Sequence, residues 1–378
     1  MGNKYQNLPF ILSYSFRNAS GKEIEASRSN LPVLPASNMK ILTGFVAFRL
    51  LGPEYQFITR VKFDGKRLIF SGGPSPLLDF NGLREITKSL GLNAGDLKDN
   101  DFSVKTQNAR IDRESINPAW NYADSAYSYQ PKITNFSLNE NCMPRGNSSH
   151  EFDLQDIHDS EDSFVPVMNP LNNIKAELKN AVAESDKNGI KRRSVVAFHV
   201  ERLDSILEHM ETVSCNYSAE ILFKYLSYAK TNKPGSWANS SNVLVDELSN
   251  FLGYNPGIYV SDGSGLSRYN FLNTSFLSDL IMKIHLNDGD AFIKHFPKPG
   301  VGTLKNRLKF YQKALIFAKT GSLTGVAALS GYIYSIDTSF SIVVNNYLGN
   351  DKPSALIDEI LASFLSTNET PGSGISKK

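Results

Sequence analysis

The sequence predicts an α+β fold, because helix-length apolar runs and paired short strand-like runs share one chain. Met39 to Leu51 is mostly apolar, long enough for a buried helix, and ended by Gly52-Pro53. Pro35, just before it, suits a helix start. Phe10 to Phe16 and Glu23 to Ala26, around Asn18-Ala19-Ser20-Gly21, read as an opening hairpin, and Val61 to Phe70 as a second. Ala314 to Ala318 and Ser322 to Tyr332 read as two antiparallel strands meeting at a turn. Tyr217 to Leu226 reads as a helix, as does Ser354 to Leu365 near the end. The tail Ser366 to Lys378, rich in Ser, Gly and Lys, is expected to be disordered.

Composition narrows the function classes. The 378 residues, 41% hydrophobic and 21% charged, suit a globular chain of two or three domains. A net charge of +2 implies no nucleic-acid partner. The two cysteines, Cys142 and Cys215, are too few for a disulfide framework and are expected as free thiols. No stretch reaches about eighteen apolar residues, so no transmembrane segment is expected. Met1 to Pro9 lacks the apolar core of a signal peptide, and Gln6 spoils a myristoylation signal.

Three short polar motifs follow in order: Ser37-Asn38-Met39-Lys40, Ser214-Cys215-Asn216 and Lys319-Thr320-Gly321. A serine hydroxyl is a poor nucleophile until a base takes its proton. A spacing of three brings Ser37 and Lys40 to one helical face, within reach of each other. The amino end of a helix also offers unpaired N–H groups to a developing oxyanion. Ser227-Tyr228-Ala229-Lys230 repeats the first motif mid-helix, where no helix end assists it, and is rejected. Read blandly, Ser37 is a cap before a surface lysine and Lys319 an exposed residue of an ordinary hairpin. Gly321 on a strand edge would let a substrate backbone approach closely.

Together with their surroundings, Pro35 to Lys40, Leu51 to Phe57, Ser214 to Glu220, Asp262 to Asn270, Gly302 to Arg307 and Lys319 to Leu323, these motifs carry a resemblance. The sequence is similar to the class C low-molecular-mass penicillin-binding proteins, D-alanyl-D-alanine carboxypeptidases and endopeptidases that share their three motifs with serine β-lactamases. The resemblance implies a penicillin-binding protein/serine β-lactamase-like transpeptidase fold, an antiparallel sheet flanked by helices, with an inserted smaller lobe. From Ser37 to Ser214 is 177 residues, more than a single-domain β-lactamase needs, and the family carries an insertion there. The catalytic domain is expected over residues 1–60 and 200–365, a reduced inserted lobe over 61–199, and the tail over 366–378. Pro144 to His150 and the acidic run Asp156 to Asp162 read as a solvated loop of that lobe.

By the family pattern Ser37 is the nucleophile, Lys40 the general base, Ser214 a proton relay and Asn216 the holder of the acyl-side amide. The oxyanion lies between the backbone N–H groups of Ser37 and Ser322. Lys319 and Thr320 bind the terminal carboxylate, with Gly321 in the same strand. A neighbouring Lys319 ammonium and partial burial would favour a neutral Lys40. Trp120 and Asp124, within Pro118 to Tyr129, resemble the family region that receives a diamino-acid side chain. The implied partners are peptides ending in D-alanine and β-lactams, with no metal or cofactor. The implied location is extracytoplasmic, with the cytoplasm as alternative for a chain without an export segment. A β-lactamase or esterase on the same frame, or a non-catalytic muropeptide binder, are the rival functions.

Other chemistries find less support. His150-Glu151 lacks a second histidine four residues on, and Gly300 to Thr303 lacks the end of a phosphate loop. No Gly-x-Ser-x-Gly elbow supports a Ser-His-Asp triad. The six histidines share no ligand spacing and are expected in surface or capping roles.

Overall fold

A computed structural model of the chain describes residues 8–92, 103–144, 157–158, 163–186, 196–348 and 352–368. In chain order come β1 (Ile11–Asn18), β2 (Glu23–Ser27), α1 (Met39–Leu51), β3 (Gln56–Phe63), β4 (Arg67–Gly72), α2 (Phe80–Leu90) and β5 (Ser103–Gln107). Next are β6 (Cys142–Pro144), β7 (Phe164–Pro166), α3 (Pro170–Asp186), β8 (Val196–Arg202), α4 (Leu203–Thr212) and α5 (Asn216–Thr231). Then follow α6 (Trp237–Leu252), α7 (Thr274–Asp288), β9 (Ile316–Leu323), β10 (Val326–Ile333), β11 (Thr338–Asn345) and α8 (Pro353–Asn368). Contacts divide the chain into one unit of residues 1–45 and 245–378 and another of 46–244.

The first unit is built on a five-stranded sheet in the order β2-β1-β11-β10-β9. Each neighbouring pair is antiparallel, and Ile11 lies opposite Asn345 where the two ends of the chain meet. Strand side chains alternate between faces, and β1 shows the consequence. Leu12, Tyr14 and Phe16 join the core under α8, whose Ile357, Ile360, Leu361, Phe364 and Leu365 recur at helical spacing. Phe16 stacks on Phe364 at 3.8 Å. On the other face Ser13 and Ser15 hydrogen-bond Thr274 and Ser278 of α7 at 2.8 and 2.7 Å.

The second unit carries a four-stranded sheet, β5-β4-β3-β8, and the short pair β6-β7. The expected Val61–Phe70 hairpin is present, with its first strand beginning earlier, at Gln56. Alternate residues of β3 are buried, and Val61, Phe63, Leu68 and Phe70 pack beneath Leu83, Ile86 and Leu90 of α2 and Ile174 and Leu178 of α3. Asp79 caps α2 through the Gly82 N–H, and Gly91 ends it in the left-handed region.

Two details depart from expectation. α8 runs to Asn368, because the Ser366 and Thr367 hydroxyls bond back to the Ser363 carbonyl. Residues 369–378 lie outside the described residues. Within the expected solvated loop, Ile157 is buried with Cys142 and Phe164, and His158 reaches Glu140. The other residues of that acidic run also lie outside the description.

Candidate active site

In the first unit, Ala36–Asn38 form a 3₁₀ turn that runs into α1 at Met39. Ser37 therefore stands one turn ahead of the α-helix proper. Ser37 in that turn and Lys40 in the first turn of α1 are three residues apart, a spacing that brings them to one side. Lys40 Nζ lies 3.0 Å from Ser37 Oγ and 3.0 Å from the Ser264 carbonyl oxygen. Lys40 is wholly buried, as is Lys319. Met39 to Phe48 are all buried, so the helix presenting Lys40 is core on every side.

Two walls fix this turn. Asn38 Nδ2 donates to Ser330 Oγ at 2.6 Å, and Ser330 Oγ to Ser341 Oγ at 2.9 Å, tying the turn to β10 and β11. The second wall is the loop Asp262–Asn270. The Asp262 carboxylate accepts from the N–H groups of Gly265 and Ser267 at 2.8 and 2.6 Å and from Asn270 Nδ2 at 2.7 Å. That loop delivers the Gly263 carbonyl to Thr43 Oγ1 at 2.8 Å and the Ser264 carbonyl to Lys40. Gly265 has φ +89°, and a Cβ there would overlap the Ala36 carbonyl oxygen.

Lys319, Thr320 and Gly321 lie inside β9, with the turn to β10 at Thr324-Gly325. Among the described residues β9 is an edge strand that pairs with β10 alone. Thr320 is half-buried and Ser322 exposed. A Cβ on Gly321 would come to 2.8 Å from the Pro35 carbonyl oxygen, so this glycine admits the chain's own Pro35–Ala36 segment.

The second unit holds the middle motif. Ser214 takes a left-handed φ of 65°, Cys215 caps α5 by accepting the Ser218 N–H on its sulfur at 3.3 Å, and Asn216 opens the helix. Asn216 Nδ2 donates to the Tyr129 carbonyl at 2.8 Å. Both cysteines are free thiols and buried, as expected. Cys215 lies beside a buried carboxylate, Glu140, which also meets His209 Nε2 at 2.6 Å and His158 Nε2 at 3.1 Å. Burial opposes charge on Glu140, but the two imidazoles outweigh it and hold this carboxyl well below the usual range. Burial, then the Glu140 charge, pushes the Cys215 thiol well above its ordinary value.

Trp120 is buried against Trp237, rings edge to face at 5.7 Å. Asp124 lies half-buried in the 3₁₀ turn Tyr122–Ala126, with Tyr122 and Tyr127 exposed. The rejected tetrad behaves as structure: the Ser227 hydroxyl is buried against Ser240 at 2.9 Å, and Lys230 is exposed. Sequence reasoning attached no role to Asp262 or Ser264 and missed the convergence of Glu140, His158, His209 and Cys215.

The fold is that of the penicillin-binding proteins. The crystal structure of penicillin binding protein 4 (dacB) from Haemophilus influenzae superposes with a TM-score of 0.75 at 19% identity, covering 95% of this chain and 97% of that one. A second structure of it, complexed with a novel β-lactam, gives 0.68 at 18% identity over 95% and 97%. The model of the D-Ala-D-Ala carboxypeptidase 3 (S13) family matches residues 16–194 and 168–366, and the chain belongs to this family. It is 33% identical over 178 residues to the D-alanyl-D-alanine carboxypeptidase of Actinomadura sp. (strain R39), covering 44% of this chain. That match spans about a third, 32%, of the Actinomadura protein. The penicillin-sensitive carboxypeptidase A of Dictyostelium discoideum is 24% identical over 405 aligned positions, covering 82% of this chain and 78% of that protein. Among the described residues no helix is long and apolar enough to cross a membrane.

Proposed function

We propose that the chain is a serine D-alanyl-D-alanine carboxypeptidase/endopeptidase that works through an acyl-enzyme and is acylated by β-lactams. The observation that carries this reading is the 3.0 Å approach of buried Lys40 to Ser37 Oγ, held by the Ser264 carbonyl. Neutral Lys40 takes the Ser37 proton as the oxygen attacks the carbonyl carbon of the D-alanyl bond, a base role worth about 10²–10⁴-fold. The carbonyl oxygen becomes an oxyanion received by the N–H groups of Ser37 and Ser322, donors worth about 10²–10³-fold each. Ser214 takes that proton from Lys40 as it gives its own to the leaving amine, leaving Lys40 neutral again. The C–N bond breaks and D-alanine or a peptide strand departs. Water then cleaves the ester and returns the proton to Ser37.

The edge of β9 suits substrate recognition by strand addition, with Lys319 and Thr320 on the terminal carboxylate, Gly321 between strands and Asn216 on the acyl-side amide. Asp124 receives the ammonium of a diamino-acid side chain; Trp120, packed on Trp237, buttresses that segment rather than lining it. A peptide substrate ending in D-alanine supports an extracytoplasmic site of action, with the cytoplasm as the alternative.

The test pairs a D-Ala-D-Ala peptide with labelled penicillin. D-Alanine release, with a long-lived penicillin adduct, is the expected outcome. Fast turnover of penicillin would make the chain a β-lactamase. Absence of both adduct and release would leave a binder.

A further inference from the structure

The second unit brings four metal-binding side chains to one point: Glu140, His158, His209 and Cys215. Each offers one donor atom, and the four donor atoms all lie within 4.8 Å of one another. They come from separate stretches of chain, namely the turn before β6, the helical Ile157–His158 segment, α4 and the cap of α5. Glu140 and Cys215 are buried; the imidazoles of His158 and His209 keep 12% and 16% exposure, which leaves a route from solvent.

We propose that Glu140, His158, His209 and Cys215 bind one divalent transition metal of the zinc class. One thiolate, two imidazoles and a carboxylate form a set that zinc accepts, and four protein ligands make a closed, structural site rather than a catalytic one. With metal–ligand bonds of about 2.0–2.3 Å, a tetrahedron has edges of roughly 3.3–3.8 Å. The widest pair must close by about 1 Å, which side-chain rotation supplies. Binding releases the Cys215 thiol proton, and any proton held between the imidazoles and Glu140, to solvent. No oxidant or reductant takes part.

Three further features fit. The Ser218 N–H points at the Cys215 sulfur at 3.3 Å, a bond that supports a thiolate ligand. Asn139, Glu140 and Asn141 all hold positive φ, 51°, 54° and 57°, a conformation that turns the carboxylate inward. A small cavity of about 20 Å³ opens beside two of the four, Glu140 and His158, next to Ser214 and Asn216; His209 and Cys215 are not in its wall. Cys215 is the central residue of Ser214-Cys215-Asn216, so a metal there clamps the middle motif to α4 and to the Glu140 turn. The inference does not rest on the proposed catalysis; a chain inert to penicillin would still bind the metal.

Cobalt(II) added to chelator-treated wild-type protein tests it directly. One equivalent should bind with tetrahedral d–d absorption and a thiolate-to-cobalt charge-transfer band. The band should vanish in Cys215→Ser and persist in Cys142→Ser. His158→Ala should weaken binding at least about tenfold while circular dichroism stays unchanged. Chelation of zinc-loaded wild type should lower the thermal midpoint by more than about 5 °C, reversibly on adding zinc. Binding without a charge-transfer band, a band that survives Cys215→Ser, or no stoichiometric binding by wild type would each overturn the site. In the last case the cluster is an ion-pair network around Glu140 and nothing more.

Discussion

Ser37 and Ser227 carry the same tetrad, and their neighbours separate them. The Ser37 hydroxyl faces a buried amine, whereas that of Ser227 is spent on Ser240 and on the Ser236 N–H at 3.2 Å. Ser37→Ala should abolish penicillin labelling and Ser227→Ala should leave it intact, as read by mass spectrometry of the labelled peptide. Label persisting in Ser37→Ala would remove that serine from the chemistry. At this scale sequence served well where the chemistry is local: three residues separate Ser37 from Lys40, and helical geometry does the rest. It failed for Glu140, His158, His209 and Cys215 because no spacing rule covers ligands drawn from four remote stretches. Among the described residues His199, His285 and His295 lie apart from that cluster, which hid the two that matter.

Among the elements, the loop Asp262–Asn270 shows how a segment is legible before its purpose is. Its Asp-Gly-Ser-Gly sequence is conspicuous, yet only the fold reveals that the Asp262 carboxylate shapes it so that two successive carbonyls reach Thr43 and Lys40. Gly265→Ala combines a strained φ of +89° with overlap at Ala36, the residue before the nucleophile. Backbone strain of this kind costs on the order of 1–3 kcal/mol, and a misplaced nucleophile about 100-fold in rate. Gly253→Ala is the control, with φ +78° and nothing within 4 Å of the added carbon. Stopped-flow acylation should fall about 100-fold in the first variant and stay within twofold in the second; a normal rate in Gly265→Ala would refute the wall. The hairpins were readable because their strands are close in sequence. The start of β3 at Gln56 was not, since β8 stabilises it by pairing Gln56 with Arg202.

For the whole molecule, the least legible feature is the pairing of β1 with β11, which joins Ile11 to Asn345. The sequence pattern marks β1 as a strand, does not single out β11, and is silent on a partner more than three hundred residues away. The family resemblance supplied that architecture where pattern alone could not. Despite two Ser-x-x-Lys tetrads, titration with penicillin should end at one adduct per chain. Because the adduct belongs to the folded state, it should also raise the thermal midpoint. Both effects should be missing in Ser37→Ala. A second adduct, or an unchanged midpoint at full occupancy, would contradict a single preformed site.

The two rims of the five-stranded sheet are unlike. At β2, the outermost strand carries Glu23, held by the Ser15 and Ser29 hydroxyls, and Glu25, charges whose desolvation would oppose pairing with a neighbour. At β9, Thr320 to Leu323 bear no charge, and Lys319 is buried. A row left ready to grip a passing peptide is equally ready to grip a copy of itself. Crowded solutions of this protein should therefore stick rim to rim at β9, and an occupant of that rim, even a short mimic peptide, should act as a solubiliser.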